Sequence, residues 1–309
     1  VANNKVLVLL CSYNGGQFIY DQIKSILLQK KVMIEIYVFD DGSTDNTLDV
    51  INGFDDSRIK LFKNKSNSGS AALNFINAIC SIPFEVYNKF DCVALSDQDD
   101  IWLDFKIYCA VNKIEESHVD LYCSNLTIWD TNSNTKTLLK KNYKQVKFDY
   151  LFEGGSAGCT YVMPSNLVHE MSNYFKKLNF TNWKFISHDW LIYFYCRINK
   201  KDVFIDTNSY ILYRIHSSNV HGSMNILSIN SFFKRAQLFF SGWYAYQSTN
   251  FKENFLDPHQ DEYEIYYLYN LNWFTRIFVI LKYNTQLFRD RRKFIVFLFF
   301  NIFNFINHK

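Results

Sequence analysis

An alternation in the first third of this chain constrains its fold more than anything else: a short apolar run, a polar turn, then apolar residues at helical spacing. Residues 5–10 lead through Ser12-Tyr13-Asn14-Gly15-Gly16 into a helix with Ile19, Ile23, Ile26 and Leu27 on one face. Residues 34–39 lead through Asp40-Asp41-Gly42-Ser43-Thr44-Asp45 into a helix over 46–54. Residues 59–63 form a third strand, Asn67-Ser68-Gly69 its turn, and 70–82 a helix with Leu73, Ile76, Ala78 and Ile79 inward. Residues 92–96 run into Asp97-Gln98-Asp99-Asp100, with a helix expected from about Trp102 to Glu116. Strand–helix alternation of this kind predicts an α/β fold, a mostly parallel sheet covered on both faces, with ligands beyond the carboxyl ends of its strands. Ser12, Tyr13, Asn14, Asp40, Asp41, Asn67, Asp97 and Asp99 all fall at that end and should converge on one crevice. The sequence holds neither Gly-x-Gly-x-x-Gly nor a P-loop, so a dinucleotide fold and a P-loop nucleotidase are not supported.

The acidic turn carries the chemistry. Carboxylates at Asp97, Asp99 and Asp100 repel one another and lose hydration at the end of a buried strand, so they call for a cation or for donors. The Asp-x-Asp spacing puts Asp97 and Asp99 on one side of the turn, and hard carboxylate oxygens suit Mg²⁺ or Mn²⁺ together with substrate phosphates. Asp99 or Asp100 capping a helix near Trp102 is the structural alternative.

Beyond residue 116 the alternation breaks. A strand is expected over 119–129 and a hairpin or surface loop over the polar, basic residues 131–147. The glycines of Gly154-Gly155-Ser156-Ala157-Gly158-Cys159-Thr160 either allow close backbone approach to a ligand or form a simple turn. Asp189 opens a helix that runs to about Cys196, as an N-cap residue or as a carboxylate held at the helix mouth. Strands are expected over 203–206 and 209–216. From about Ile226 the pattern is helical and aromatic, in a chain with 30 Phe and 21 Tyr. The apolar run 294–306 follows Arg289, Arg291, Arg292 and Lys293 and falls short of the about 20 apolar residues that span a bilayer. It suits an anionic membrane surface, or packing on the body or on a second copy as a homodimer. A net charge of +3 gives no argument for nucleic acid. Seven cysteines without a Cys-x-x-Cys pair read as reduced thiols of a cytoplasmic protein with no zinc site, and residues 1–4 read as lacking a signal peptide.

Several stretches are similar to the motifs of the family 2 inverting glycosyltransferases of GT-A fold, especially rhamnosyltransferase-like members that build bacterial surface polysaccharides. They are Cys11-Ser12-Tyr13-Asn14-Gly15, residues 38–45, Asn67 to Asn74-Phe75, residues 95–102, Gly158-Cys159-Thr160, His188-Asp189-Trp190 and residues 213–219, in the family's order. The resemblance implies a mixed sheet flanked by helices in a catalytic domain over 1–222, and a C-terminal helical region over 223–309 that meets a membrane or a partner. It implies a nucleoside-diphosphate sugar held by Ser12, Tyr13, Asn14, Asp41, Asn67 and Asp97, with Gly158, Cys159 and Thr160 lining the sugar pocket. Asp99, with Asp97 and His216, would hold Mn²⁺ or Mg²⁺, and Asp189 would be the catalytic base. The implied acceptor is a saccharide, lipid-linked in the softer reading, met at the inner face of the plasma membrane. Leu73 stands where many relatives carry a cation, which leaves Arg214 or a lysine of 131–147 as the substitute contact to the diphosphate.

A dTDP-rhamnose donor is the first expectation and a UDP-hexose or UDP-N-acetylhexosamine the alternative. A non-catalytic nucleotide-sugar or glycan-binding scaffold is the reading from another class. A nucleotidyltransferase would normally show a cation in its first loop, and residues 11–16 have none.

Overall fold

In the computed structural model, which describes residues 4–215, 236–237 and 239–304, the apolar runs of the first third form one half of a mixed sheet. Its strands are β1 (Lys5–Ser12), β2 (Met33–Asp40), β3 (Ile59–Lys63), β4 (Cys92–Ser96), β5 (Ile101–Trp102), β6 (Leu121–Asp130), β7 (Thr135–Leu139), β8 (Val162–Pro164) and β9 (Val203–Ile215). Their order is β3-β2-β1-β4-β8-β6-β9-β5, and β7 pairs with β6, so the stretch expected as a hairpin or surface loop contributes a hairpin strand. The β3-β2-β1-β4 half is parallel; β8 joins β4 and β6 antiparallel, and β9 runs parallel to β6. The strand expected to end at Asp206 continues as β9, whose register against β6 shifts around Ser124 and Asn125. Asp206 there accepts from the backbone of Asn208 at 2.9 Å, which breaks the alternation that a sequence reader follows.

The helices are α1 (Ile19–Leu27), α2 (Thr47–Asn52), α3 (Ala71–Ser81), α4 (Phe84–Tyr87), α5 (Lys106–Ser117), α6 (Ser165–Phe175) and α7 (His188–Ile198). Val6, Val8 and Leu10 of β1 pack in one core with Ile36 and Val38 of β2, Ile19, Ile23 and Ile26 of α1, and Ile107 and Val111 of α5. Leu7 and Leu9, pointing to the other face, are equally buried. Burial on both faces is why β1 reads as a continuous apolar run rather than an alternating one.

One expectation is corrected at the acidic turn. The helix begins at Lys106, with Phe105 as its N-cap and no side-chain cap, so neither Asp99 nor Asp100 caps it. Trp102 belongs to β5, paired with Ile211 of β9; its N–H goes to Ser25 Oγ at 3.0 Å and that of Leu103 to the Tyr210 carbonyl at 2.9 Å. Long-range partners for these donors hold the segment extended where local spacing suggested helix.

Two compact units divide the chain. The first comprises the described residues of Val1–Asn142, Gly155–Lys177 and Leu191–His216; the second those of Tyr143–Gly154, Leu178–Trp190 and Ser217–Lys309. The second thus takes residues 143–154 and 178–190 from upstream of the boundary near 222 that the sequence suggests. Its helices Trp243–Phe255, Asp261–Leu271, Trp273–Lys282 and Arg291–Phe303 account for the aromatic density. Phe152 packs on Tyr269 and Phe297 with ring centroids 5.0 and 5.1 Å apart. Under this cluster the side chain of Arg289, 2% exposed, meets Glu153 at 3.1 Å and Asp149 at 3.4 Å and donates to the Gly154 carbonyl. Among the described residues no helix is long and apolar enough to cross a membrane.

Candidate functional site

At the carboxyl ends of β1 and β2 the paired residues Ser12 and Asp40 begin the site. Asp40 is 1% exposed, and its carboxylate accepts from Ser12 Oγ at 3.0 Å, Ser43 N at 2.9 Å and Ser43 Oγ at 2.5 Å. It folds the turn, and Gly42 at φ 83° supplies the left-handed residue the turn requires. Asp41, 3% exposed, reaches the next loop instead. It accepts from Asn64 Nδ2 at 2.7 Å, Ser68 N at 2.9 Å and Ser68 Oγ at 2.7 Å, while its carbonyl takes the Asn67 amide at 3.0 Å. Asn14, itself at φ 48°, accepts from Thr44 N at 2.8 Å. Ser12, Asn14, Asp41 and Asn67 therefore fasten the strand-end turns to one another. Tyr13 differs: its ring is 48% exposed at the end of β1, a flat surface of the kind on which a nucleobase stacks.

The acidic turn is tied to this first turn by a residue the sequence reading passed over. Gln98 accepts from Tyr13 N at 2.9 Å and donates to its carbonyl at 3.0 Å, the two-point grip a backbone peptide would give. Gly15 lies so close to Gln98 that a Cβ would collide with the amide. The signal was present, since a neutral amide amid three carboxylates is out of place unless it serves the backbone.

Asp97 and Asp99 are half-buried, whereas Asp100 is fully buried. One Asp100 oxygen accepts from Arg214 N at 3.3 Å and the other has no hydrogen-bond partner. Burial, with the charges of Asp99 and Asp97, pushes the Asp100 carboxyl well above the usual carboxylate range. Lys106 is buried beside it, its ammonium 3.7 Å from the Trp102 ring centroid without a hydrogen-bond partner, and burial lowers its pKa to about 7. Ligand atoms of Asp97, Asp100 and Cys159 lie within 4.8 Å of one another. Burial raises the Cys159 thiol well above its ordinary value, which keeps it protonated and a poor ligand for a hard cation. The donor chemistry thus fits Mg²⁺ or Mn²⁺ through the more accessible carboxylates Asp97 and Asp99, with Asp100, Cys159 and Lys106 forming the dry side of the turn.

Gly158–Thr160 forms a single 3-10 turn whose residues are all buried, so Cys159 and Thr160 offer no exposed side chain there. Arg214 is 8% exposed, its guanidinium 5.1 Å from the Phe18 ring, 5.2 Å from Trp129 and 3.3 Å from Asp21. That engagement disfavours it as the cation replacing the residue at Leu73. Asp189, in the second unit, lies half-buried in the first turn of α7; its Oδ1 accepts from Trp190 N at 2.8 Å and from the Ser187 hydroxyl. A carboxylate there sits at the positive end of the helix. His216 lies outside the described residues. None of the seven cysteines forms a disulfide; five are buried and Cys80 and Cys109 partly so.

A family model described as glycosyl transferase family 2 matches residues 7–194. The chain is 33% identical over 243 residues to a dTDP-rhamnosyl transferase, RfbG of Shigella flexneri, covering 78% of this chain and 82% of that one. It is 35% identical over 123 residues to the Escherichia coli UDP-Glc:alpha-D-GlcNAc-diphosphoundecaprenol beta-1,3-glucosyltransferase WfaP, covering 40% and 46%. Among solved structures it is similar to S. aureus TarS 1-349 in complex with UDP-GlcNAc, with TM-score 0.59, 14% identity and coverage of 96% and 90%. It also resembles the mannosyltransferase PcManGT from Pyrobaculum calidifontis in complex with GDP-Man and Mn²⁺, with TM-score 0.55, 12% identity and coverage of 92% and 76%. At such identities the structural likeness speaks for the fold, and the expected GT-A architecture of a mixed sheet flanked by helices holds.

Proposed function

This chain belongs to glycosyl transferase family 2, and from that premise we propose that it moves L-rhamnose from dTDP-rhamnose to a hydroxyl of a saccharide acceptor, with inversion at the anomeric carbon. The observation that carries the reading is the grip of Gln98 on the Tyr13 backbone, which joins a nucleobase-sized aromatic surface to the Asp97–Asp99 turn. A base at one end and a diphosphate at the other suit that pair of turns. The relative of matching length, a dTDP-rhamnosyl transferase, favours the rhamnose donor. The UDP-glucose relative and the UDP-GlcNAc complex keep a UDP-sugar as the second reading.

The catalytic module is assigned to residues 1–222. Tyr13 stacks on the base, while Ser12, Asn14, Asp41 and Asn67 shape the crevice around the nucleoside. Asp97 and Asp99, with His216, would hold Mn²⁺ or Mg²⁺. Such a cation, when bound, neutralises charge on the departing diphosphate. Gly158 offers backbone to the sugar, with Cys159 and Thr160 supporting it from below. Asp189 takes the proton of the acceptor hydroxyl as that oxygen attacks, a role one carboxylate fills without a second nucleophilic one. The acceptor is placed on a lipid diphosphate at the inner face of the plasma membrane, in surface-polysaccharide synthesis, by analogy with the diphosphoundecaprenol acceptor that names the glucosyltransferase relative.

Titration with dTDP-, UDP-, GDP- and CMP-sugars, each with Mn²⁺ and with chelator, tests the donor through ligand-induced stabilisation. Stabilisation by dTDP-rhamnose that needs the metal is expected, and stabilisation by none of the panel refutes the reading. Asp189→Asn should keep donor binding and lower turnover by about 10²- to 10⁴-fold. Equal turnover in the variant removes Asp189 as base, and loss of donor hydrolysis and transfer in the wild type favours a binding scaffold. The anomeric configuration of the product, read by NMR, decides inversion.

A further inference from the structure

Among the described residues, helices Trp273–Lys282 and Arg291–Phe303 of the second unit carry apolar residues that are exposed. On the first, Phe274, Phe278 and Leu281 recur at helical spacing and are 77%, 57% and 50% exposed. On the second, Ile295, Phe299, Ile302 and Phe303 are 62%, 49%, 38% and 58% exposed. The opposite sides, carrying Val279 and Ile280 on one and Phe294, Phe297 and Phe300 on the other, are buried. Tethers at both ends fix the pair: Trp273 Nε1 donates to the Ile302 carbonyl at 3.1 Å, and Arg291 to that of Asn284 at 2.6 Å. The helices therefore lie antiparallel, each carrying an exposed apolar row. Exposed apolar surface on this scale points to an interaction site.

Charge selects the occupant. Neither helix contains an acidic residue, and Lys282, Arg291 and Arg292 gather at the end where the two helices are joined. The Lys282 ammonium stands 5.9 Å from the Phe278 ring centroid and the Arg291 guanidinium 4.6 Å from that of Phe294, so their stems follow apolar surface while their charges reach solvent. Asp290, the acid between the helices, is 9% exposed and paired with Arg292 at 2.9 Å. Asp261 and Glu264 of the preceding helix lie within the field of Lys282, and Asp261 is already paired with Lys147 at 2.8 Å. The fitting surface is apolar beneath and anionic at its rim. A second copy of the same face would present no anion in return, because isologous contacts pair a patch with itself.

We propose that this helix pair docks the protein on a bilayer bearing anionic headgroups, with Phe278 and Phe299 entering the headgroup boundary and Lys282, Arg291 and Arg292 meeting lipid phosphates. The purpose of such docking, reaching a lipid-linked saccharide, rests on the reading of the acceptor above; the docking itself does not. Neither helix would span the bilayer, so the contact is interfacial.

Flotation of the full chain with vesicles of phosphatidylcholine alone, or mixed with phosphatidylglycerol, tests the surface with no donor or acceptor present. Wild type should bind the anionic vesicles about tenfold more tightly at low salt than at high salt. Phe278→Asp and Phe299→Asp should each weaken binding by about tenfold or more, and Lys282→Glu with Arg291→Glu should erase the preference for phosphatidylglycerol. Thermal unfolding should be unchanged in Phe278→Asp, Phe299→Asp and Lys282→Glu, because those side chains are exposed, whereas Arg291→Glu also loses its bond to the Asn284 carbonyl. Wild type that ignores anionic vesicles overturns the proposal, as does a dimer, seen by sedimentation, that Phe278→Asp dissociates. Nucleotide binding measured on the same samples judges the donor reading separately.

Discussion

Asp41 is the residue whose replacement separates holding a loop from holding a ligand. Its carboxylate is 3% exposed and receives Asn64 Nδ2 at 2.7 Å, Ser68 N at 2.9 Å and Ser68 Oγ at 2.7 Å. In Asp41→Asn the new amide N–H₂ cannot face Asn64, which is itself a donor, so it must turn toward Ser68 Oγ, a hydroxyl able to accept. What is lost is mainly the charge assistance of the remaining bonds, about 1–2 kcal/mol. Asp41→Ala takes the acceptor from the Ser68 N–H and one of two acceptors from the Asn64 amide, which keeps Asn74 Oδ1 at 3.0 Å, at about 1–3 kcal/mol for each donor, discounted because Asn64 and Ser68 are only half-buried. A total of about 2–4 kcal/mol follows. Urea unfolding gives these differences, and nucleotide calorimetry on the folded fraction gives the second readout. The loop carrying Asn67 is held by the same carboxylate, so Asp41→Ala should also weaken nucleotide binding about tenfold, equivalent to 1.4 kcal/mol. Stability of Asp41→Ala within about 0.5 kcal/mol of wild type, the range of ordinary surface changes, would refute the claim that this carboxylate ties β2 to the β3–α3 loop.

Gln98→Leu removes two exposed bonds to the Tyr13 backbone and should lower stability by about 1 kcal/mol, while nucleotide affinity, read by calorimetry, falls more steeply than stability does. Arg289→Met takes the guanidinium away from buried Asp149 and Glu153, leaving Glu153 with Lys293 at 2.9 Å, and should destabilise by about 3–5 kcal/mol in urea unfolding, since breaking a buried pair uncovers a buried charge. Lys106→Met tests a linkage. Burial depresses the Lys106 pKa to about 7 from an ordinary 10.5, so between those values the unfolded chain holds a proton that the folded chain lacks. Stability from this group therefore rises with pH across that window, by at most ~1.4 kcal/mol per unit. The wild-type minus variant difference, measured by urea unfolding from pH 7 to 10, should grow in favour of wild type; a flat difference would mean that Lys106 keeps an ordinary pKa.

The strands were legible because their physical signature is local. Residues 6–11 of β1 and 36–39 of β2 are buried on both faces, so those runs are continuous and apolar; β3 and β4 could be bounded to the residue from the polar turns that close them. β8, α4 and α6 left no comparable trace. β8 is three residues long and exists because Val93 and Ala94 of β4 have partners to take in Met163 and Val162. The misplaced start of α5 has the same origin: the β9 residues that hold Trp102 extended come more than a hundred positions later, beyond any window of local periodicity.

The site was legible in a different sense. Polar residues at the carboxyl ends of parallel strands point to a ligand crevice, and the turns at Ser12, Asp41, Asn67 and Asp97 do lie at the carboxyl side of one parallel half-sheet. Spacing does not tell which of their atoms are spent on the protein itself. Asp40 and Asp41 look interchangeable in sequence, yet Asp40 closes its own turn and Asp41 fastens the next loop. Asp97, Asp99 and Asp100 look like one acidic patch, yet burial of Asp100 against Lys106 and Cys159 splits it into a dry side and an accessible side. Burial of a charge is set by whatever packs over it, here the start of α5 a few residues on and the Gly158–Thr160 turn, which is far away in sequence. A polar motif of this kind therefore specifies a scaffold and a ligand contact together, and a loss of activity on mutating it is evidence of recognition only when stability is measured on the same variant.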